Sequence, residues 1–284
     1  MTAALPSAAV IVAVYNGART LPACLASLRR LDYPADRLEL IVVDNASTDA
    51  TPRLLAEAGA PFRVCHEARR GPAAARNRGV AAATSEVIAL TDADCTVDPG
   101  WLRHLVAALA DPAVGIAGGR ILSRRPCNLI EAFGERIHDH ARAIHEFVPP
   151  YVITMNWAAR RTLLETLGGF DETLLRASDV EYSYRAVAAG HRLAYVPQAV
   201  IYHRNERTPW GLAHEGYVHG LHAQPVRELH RDLLERVRVE RAGAGGARPV
   251  AGAATPHWSD PLWWRVFNFG KRLGRTHAAW RQWG

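Results

Sequence analysis

Short apolar runs separated by amphipathic segments dominate the N-terminal third of the chain. Each run is rich in β-branched residues and does not alternate with polar residues, which is typical of strands buried on both faces of a parallel sheet. The segments between the runs carry apolar residues at helical spacing. Strand and helix therefore alternate, which predicts a doubly wound α/β sheet flanked by helices. The predicted strands are Ala8–Val14, Leu38–Val43 and Val87–Thr91, and the predicted helices are Ala18–Leu31, Asp49–Ala58 and Ala73–Ala83.

The rest of the chain shows fewer clear strands and a larger share of helix. The segment 242–256 is rich in glycine, alanine and proline, which is typical of a flexible linker. We therefore expect a globular domain over residues 1–224 and a helical C-terminal extension over 225–284 that contains this linker. The pattern predicts helices over Leu129–Phe147, Arg160–Leu167, Asp179–Ala189, Val226–Arg241 and Pro261–Trp283, and strands over Tyr151–Asn156, Arg192–Val196 and Ala199–Tyr202.

Composition and cysteine spacing restrict the classes of protein to consider. Hydrophobic residues make up 49% and charged residues 22% of the 284 residues, which excludes a largely disordered chain. No apolar run reaches the roughly 18 residues of a spanning helix, and the first residues lack a signal-peptide pattern, so we expect a cytoplasmic protein. The four cysteines form no C-x-x-C pair, which argues against a zinc site or a disulfide framework.

The positive charge of the chain is carried almost entirely by arginine. The formal net charge is +6, and Lys271 is the single lysine among 34 basic residues. The planar guanidinium forms paired hydrogen bonds with phosphate, so this composition suits an anionic ligand. The arginines are scattered and accompany no nucleic-acid-binding motif, and we therefore expect no nucleic-acid partner.

Polar residues follow each of the three predicted strands. Tyr15 and Asn16 follow the first strand, Asp44 follows the second, and Asp92 and Asp94 follow the third. Because parallel strands end at the same edge of a sheet, these side chains should surround one crevice, which is where open α/β sheets bind ligands.

Asp92 and Asp94 form the most informative short motif. Residues two apart in an extended strand point the same way, so both carboxylates can address one ion. Carboxylate oxygens suit Mg²⁺ and Mn²⁺, which in turn bind diphosphate oxygens. An alternative is that these aspartates only stabilise a turn, since such pairs are common in loops.

Taken in order, six segments of the chain resemble the family-2 glycosyltransferases, which have the GT-A fold. The resemblance covers roughly residues 8–203, about two thirds of the chain, and implies a Rossmann-like, mixed and mainly parallel sheet. It also implies a nucleotide-binding half at about 1–118 and an acceptor-side half at about 119–224. The segments are Val12–Asn16, Val42–Asp49, Gly71–Gly79, Thr91–Asp94, Met155–Arg161 and Gly168–Glu172.

The resemblance implies roles in binding a UDP- or GDP-sugar donor. The backbone near Ala13 and Tyr15, together with Asp44, would hold the base, and Arg76 would lie near the donor. Two asparagines, Asn16 and Asn156, fall in matching segments and are taken as further donor-binding residues.

The resemblance also implies a metal site and a catalytic base. Asp94 would bind a divalent cation, Mn²⁺ or Mg²⁺, while Asp92 would contact the ribose or the same metal. His203 ends a predicted strand at a position where the family often supplies another metal ligand. Asp179 would be the general base of an inverting, single-displacement transfer to an acceptor hydroxyl.

The chain departs from the family at the residue before the expected base. The family usually has Glu-Asp, whereas this chain has Ser178 followed by Asp179. Glu181 is an alternative base, but the helix places it about 200° from Asp179, so both cannot face the crevice. We favour Asp179, because it matches the second residue of the pair.

Two alternative functions use the same residues. Ser178, in place of the glutamate of the family's Glu-Asp pair, is compatible with a non-catalytic nucleotide-sugar-binding protein. The run Asp92–Thr96 also reads as D-x-D-x-T, a phosphatase motif of the haloacid dehalogenases, but that fold normally places it after the first strand.

The acceptor and the role of the C-terminus are left open. Residues around His138 and His140 could face an anionic acceptor or solvent. The segment 261–283 carries tryptophan and arginine on an amphipathic helix, which suits peripheral contact with the inner face of a membrane. The alternatives are a contact with the parent domain or a homodimer interface.

Overall fold

The computed structural model describes residues 5–242 and 257–283. The strands are β1 (Ala8–Val14), β2 (Leu38–Asp44), β3 (Phe62–His66), β4 (Val87–Asp92), β5 (Cys95–Val97), β6 (Val114–Ser123), β7 (Trp157–Arg160) and β8 (Arg192–His203). The helices are α1 (Leu21–Leu28), α2 (Thr51–Ala58), α3 (Pro72–Ala82), α4 (Trp101–Ala108), α5 (Leu129–Ile137), α6 (His140–His145), α7 (Arg161–Leu167), α8 (Ser178–Ala188), α9 (Pro209–Leu229), α10 (Arg231–Ala242) and α11 (Asp260–Trp283). Apart from its first residue, the predicted linker lies outside the described residues.

In the described ranges the strands form a single sheet in the order β3-β2-β1-β4-β7-β6-β8-β5. Strands β1 to β4 are parallel, and β6 is parallel to β8. Strand β7 runs antiparallel between β4 and β6, and β5 runs antiparallel to β8. The fold is therefore mixed α/β, with a mainly parallel sheet flanked by helices and a helical C-terminal segment, as the sequence predicts.

Both faces of the sheet are covered. Alternate residues of β1 enter two apolar clusters: Val10 and Val12 pack on the side of α1 and α4, and Ile11 packs on the side of α3, α7 and α8. This burial explains why the strand sequences are continuously apolar. With both faces occupied, the carboxyl edge of the strands is left open for a ligand.

Several elements differ from the sequence prediction. The strand expected at Tyr151–Asn156 is wrong, because Thr154–Asn156 forms a 3-10 turn and the strand begins at Trp157. The helix expected over Leu129–Phe147 breaks into α5 and α6, where Asp139 caps the second helix by accepting a hydrogen bond from the Arg142 amide. The helix expected over Val226–Arg241 is also interrupted, at His230 between α9 and α10.

The last helix packs along α9 through glycines. Gly216 and Gly220 of α9 face Gly270 and Gly274 of α11, and a Cβ atom on any of them would collide with a backbone carbonyl oxygen of the other helix. This small-residue spacing lets two helix backbones approach closely. In the described part of the chain, no helix combines the length and the apolar character needed to cross a bilayer.

Gly270→Ala should lower the stability of this helix pair. The new methyl group meets the Ala213 carbonyl oxygen, and overpacking of this kind costs about 1–3 kcal/mol. Gly211→Ala is the matched control, because its methyl group would meet mainly the Glu206 side chain, which is exposed and can move. Urea unfolding should show a lower midpoint for Gly270→Ala alone. Equal midpoints for the two variants would contradict the close packing.

Candidate functional site

Strand pairing brings the polar strand ends to one edge of the sheet. In the β1–β2 register Val14 lies opposite Asp44, and in the β1–β4 register Ala13 lies opposite Asp92. Tyr15 follows directly on β1. The structure thus brings together four of the residues predicted from the sequence, in a crevice that begins where β1 ends.

The β2 side of the crevice has a buried carboxylate beside an exposed aromatic ring. Asp44 is only 5% exposed, its Oδ1 accepts a hydrogen bond from the Ser47 amide, and its Oδ2 lies 3.5 Å from His66 Nδ1. The Tyr15 ring is 48% exposed and lies under the Arg70 guanidinium, whose carbon is 4.1 Å from the ring centre. Sequence reasoning missed Arg70, because the contact joins two loops distant in sequence.

Asn16 holds the loops after β1 and β2 together. It adopts a left-handed backbone with φ of 51°. Its side-chain Oδ1 accepts a hydrogen bond from the backbone amide of Thr48 at 2.8 Å. Its backbone amide donates a hydrogen bond to Ser47 Oγ at 3.0 Å. The observed role of Asn16 is therefore to set the shape of the crevice wall.

Asp92 is paired with the predicted arginine of α3. The buried Arg76 guanidinium lies 3.3 Å from Asp92 Oδ1. Burial raises the pKa of Asp92 and the charge of Asp94 raises it further, while Arg76 acts in the opposite direction. A divalent cation between the two carboxylates would remove this repulsion, since metal charge inverts local pKa effects.

The short strand β5 brings Asp94 to His203. Cys95 pairs with His203 across the β5–β8 ladder, and His203 Nε2 lies 3.4 Å from Asp94 Oδ2. Ligand atoms of Asp94, Cys95 and His203 all lie within 4.8 Å of one another. The other ring nitrogen of His203 lies 2.7 Å from Asn205 Oδ1, which fixes the ring orientation.

The chemistry of these groups fits a hard divalent cation. Burial raises the pKa of Cys95 well above its usual range, so its sulfur stays a thiol and a weak ligand at neutral pH. Burial alone would lower the pKa of His203, but the hydrogen bond and charge of Asp94 raise it to about 9. The carboxylates of Asp92 and Asp94 with one imidazole form a donor set that accommodates Mn²⁺.

A second row of polar groups lies behind His203. The buried His138 ring packs edge-on against the His203 ring with centroids 5.1 Å apart, and its Nε2 lies 3.3 Å from Glu215 Oε1. His140 instead lies in the core, between the Gly119 carbonyl and the Ile153 amide, where burial lowers its pKa to about 4. Neither histidine faces solvent, and His140 is structural.

Asp179 lies at the start of α8. Its Oδ1 accepts a hydrogen bond from the Val180 amide at 2.9 Å, and its Oδ2 lies 3.4 Å from the Thr154 amide. Burial and then the negative charge of Asp179 raise the pKa of Tyr151. The carboxylate is partly exposed, at the N-terminus of the helix.

The alternative base Glu181 is buried and fully engaged. Both of its oxygens accept hydrogen bonds from Arg185, at 2.7 and 2.9 Å, and His230 Nε2 lies 3.3 Å from Oε1. Its side chain is 2% exposed. A carboxylate held in this way has a structural role.

Asn156 is not brought to the crevice. It is completely buried, its amide nitrogen donates to the carbonyl oxygens of Arg120 and Ala199, and its Oδ1 accepts from the Trp101 ring nitrogen. Both amide hydrogens are used, so the side chain ties β6 and β8 to α4. The expectation that it contacts the donor has no support in this geometry.

Comparison with known proteins identifies the domain that carries this site. The family model described as glycosyl transferase family 2 matches residues 9–168, which is more than half of the chain. The chain belongs to glycosyl transferase family 2. The matched range includes all the crevice residues on β1, β2 and β4, while Asp179 and His203 lie beyond it.

Curated relatives of this family-2 glycosyltransferase cover different shares of its length. The pre-mycofactocin glycosyltransferase of Mycobacterium tuberculosis is 32% identical over 277 residues, which is 94% of this chain. The chain spans only 53% of that relative. The glycosyltransferase AglE of Haloferax volcanii is 28% identical over 70% of this chain and 67% of the relative.

Solved structures support the same fold. The mannosyltransferase PcManGT from Pyrobaculum calidifontis, solved with GDP-Man and Mn²⁺, aligns with a TM-score of 0.68 and 25% identity over 98% of this chain and 88% of that one. Staphylococcus aureus TarS with UDP-GlcNAc aligns with a TM-score of 0.60 and 16% identity over 97% and 92% of the two chains. The second similarity is one of fold.

Proposed function

We propose that this glycosyltransferase moves a sugar from a nucleoside-diphosphate donor to an acceptor hydroxyl by a single, inverting displacement, with Asp179 as general base. The observation that carries the proposal is the convergence of Asp94 and His203 on one point of the crevice edge that also holds Asp92, Tyr15 and Asp44. The GDP-Man and Mn²⁺ complex of PcManGT supports a donor of the same chemical class.

The nucleoside would bind where β1 and β2 end. Asp44 presents a buried carboxylate that can accept hydrogen bonds from a base, and Tyr15 offers an exposed ring beside it. Backbone groups near Ala13 lie at the same strand end, and Arg76, which is paired with Asp92, would hold that carboxylate towards the ribose. These contacts would place the diphosphate next to Asp94.

Asp94 and His203, with Asp92, would hold the divalent cation. When bound, the cation neutralises charge that develops on the leaving diphosphate. We favour Mn²⁺ over Mg²⁺, because one of the three ligands is an imidazole and Mg²⁺ prefers oxygen. Asn205 would keep the coordinating nitrogen of His203 directed at Asp94.

Asp179 would accept the proton of the acceptor hydroxyl as the new bond forms. Two backbone amides lie near its oxygens, which orients the carboxylate. A single base and a neutralised leaving group suffice for inversion, and no covalent nucleophile is needed. Ser178, in place of the usual acid, is buried at the first residue of α8 and presents no charge to the acceptor.

Slow donor hydrolysis tests the stereochemistry without knowledge of the acceptor. With water in place of the acceptor, an inverting enzyme releases the opposite anomer from the one in the donor. An α-linked donor with Mn²⁺ should therefore yield the β-sugar first in a proton NMR time course. Initial release of the α-sugar would contradict the mechanism, and nucleotide binding without release above the Asp179→Asn background would support the non-catalytic alternative.

We further propose that α11 rests on an anionic membrane surface. Leu262, Phe269 and Leu273 are each at least 50% exposed and lie within about 40° of one another around the helix axis. Arg265 and Arg272 are exposed beside this stripe and would meet lipid headgroups. The four cysteines are free thiols, which supports a reducing, cytosolic location.

Vesicle sedimentation separates this proposal from a homodimer. The protein should pellet with vesicles containing phosphatidylglycerol and much less with pure phosphatidylcholine. Phe269→Ser with Leu273→Ser should abolish pelleting, whereas Leu229→Ser, at an equally exposed site on α9, should not. A light-scattering mass of a dimer that the double variant converts to a monomer would assign the stripe to a second copy instead.

A further inference from the structure

A cavity opens beside the proposed metal-binding residues, apart from the nucleoside end of the crevice. Its volume is about 720 Å³, within the usual range of small-molecule sites. Asp94 lines it, but none of the residues at the nucleoside end of the crevice does. Five arginines also line the cavity: Arg19 before α1, Arg124 and Arg125 after β6, and Arg204 and Arg207 after β8.

The positive charge of this cavity is largely unmatched. Arg207 is paired with the buried Glu131 at 3.3 Å. Among the described residues, no acidic group lies within ion-pair distance of the other four arginines. Several guanidinium groups directed at one space repel one another, and a bound anion relieves that repulsion.

The arginine-bearing loops are held in place before any ligand binds. The Arg124 amide donates to the His203 carbonyl oxygen at 3.0 Å, which joins the loop after β6 to the end of β8. Asn205 is buried and donates to Ser123 Oγ at 2.9 Å. Arg125 takes a left-handed backbone with φ of 49°, an uncommon conformation outside glycine. The cavity is therefore a pre-organised site.

The donor alone does not account for this charge. The diphosphate of a nucleotide sugar carries two negative charges, and Asp92 and Asp94 carry two more. One divalent cation and the Arg76 guanidinium would balance three of these four charges, so one negative charge would face the four arginines. The four unpaired arginines therefore match an additional anion. A phosphate monoester has a charge of about −1.5 to −2 at neutral pH and three acceptor oxygens. It can therefore pair with several guanidinium groups at once, whereas a carboxylate has a single charge and two oxygens.

We propose that this cavity binds a phosphate group of the acceptor, so that the enzyme glycosylates a phosphorylated molecule. The inference rests on the proposed transferase function, because it assigns the second substrate. The phosphate is held beside Asp94, which lines the cavity. The same phosphate chemistry could come from a soluble sugar phosphate or from a lipid phosphate.

Calorimetric titration tests the site in two stages. The first stage measures nucleoside diphosphate with Mn²⁺, and its failure would count against the transferase function itself. The second stage keeps that nucleotide saturating and adds a hexose phosphate or a short-chain alkyl phosphate. At least one of the two should bind, with the hexose phosphate indicating a soluble acceptor and the alkyl phosphate a lipid one.

Matched variants show whether the arginines of the cavity bind the phosphate. Arg124→Gln and Arg204→Gln should each weaken phosphate binding about tenfold or more, with unchanged nucleotide affinity. Arg103→Gln, in an exposed ion pair with Asp32 away from the cavity, should change neither. Absence of binding by both phosphates to the nucleotide-loaded enzyme would overturn the proposal. Loss of nucleotide affinity in the two cavity variants would also overturn it, by assigning the arginines to the donor.

Discussion

Asp94→Asn is expected to abolish metal-dependent nucleotide binding. The asparagine keeps the shape of the side chain but removes the charge that faces His203 at 3.4 Å. Affinity for a nucleoside diphosphate in Mn²⁺ should fall more than about 100-fold, because groups that merely orient a metal ligand already contribute about 10–100-fold. Isothermal titration in Mn²⁺, repeated with a chelator, measures the effect.

Asp111→Asn is the matched control for that loss. Asp111 forms an exposed ion pair with Arg192, so the same chemical change is made far from the crevice. Its nucleotide affinity should equal that of the unmodified enzyme. If Asp94→Asn bound nucleotide as tightly as this control, with the same dependence on Mn²⁺, the metal assignment would be wrong.

Asp179→Asn should remove catalysis without removing the donor. General-base assistance is worth about 10²–10⁴-fold, and kcat should fall by that amount while the dissociation constant of the donor stays the same. The asparagine oxygen can still accept the hydrogen bond from the Val180 amide, so the start of α8 should keep its structure. Sugar release from the donor provides the rate, and titration provides the affinity.

Glu181→Gln provides the comparison that separates the two acids. It removes the charge of the buried carboxylate that pairs with Arg185 and should lower the melting temperature, because the guanidinium loses its charged partner. The turnover of the folded fraction should stay close to normal. Full turnover by Asp179→Asn together with lost turnover by Glu181→Gln would transfer the role of base to Glu181.

The N-terminal half of the sheet could be predicted from the sequence because its signals are local. The apolar runs of β1, β2 and β4 and the polar residues that follow them are close in sequence, so strand pairing alone brings Tyr15, Asp44 and Asp92 together. The prediction of a crevice at this edge needed no information about distant contacts. The arrangement of the proposed metal ligands, in contrast, depends on tertiary structure.

The strands that the sequence did not reveal are stabilised by contacts with residues distant in sequence. Strand β6 contains Gly118 and Gly119, which weaken any strand signal, yet a side chain at Gly119 would collide with Asn156 and the Ala199 carbonyl oxygen. Strand β5 has only three residues, too few for a pattern, and it is the element that pairs Cys95 with His203. Tertiary packing overrides local propensity in both cases.

The clustering of charge in the arginine-lined cavity could not be predicted from the sequence either. The excess of arginine was visible in the composition, but its five contributors come from three separate loops. Only the register of β6 and β8 brings Arg124 and Arg204 to the same space. Similarly, nothing in the sequence around His138 indicates that its ring packs against His203.

The central claim is that this crevice binds a nucleotide donor through a divalent cation, and thermal-shift measurement with nucleoside diphosphates tests it most directly. A ligand at about 100 times its dissociation constant adds about 2.7 kcal/mol to stability, which gives a clear rise in melting temperature. We predict a rise with UDP or GDP and their sugars that requires Mn²⁺ and is absent in Asp94→Asn. A folded protein that shows no shift with any nucleotide, or the same shift in a chelator, would contradict the account.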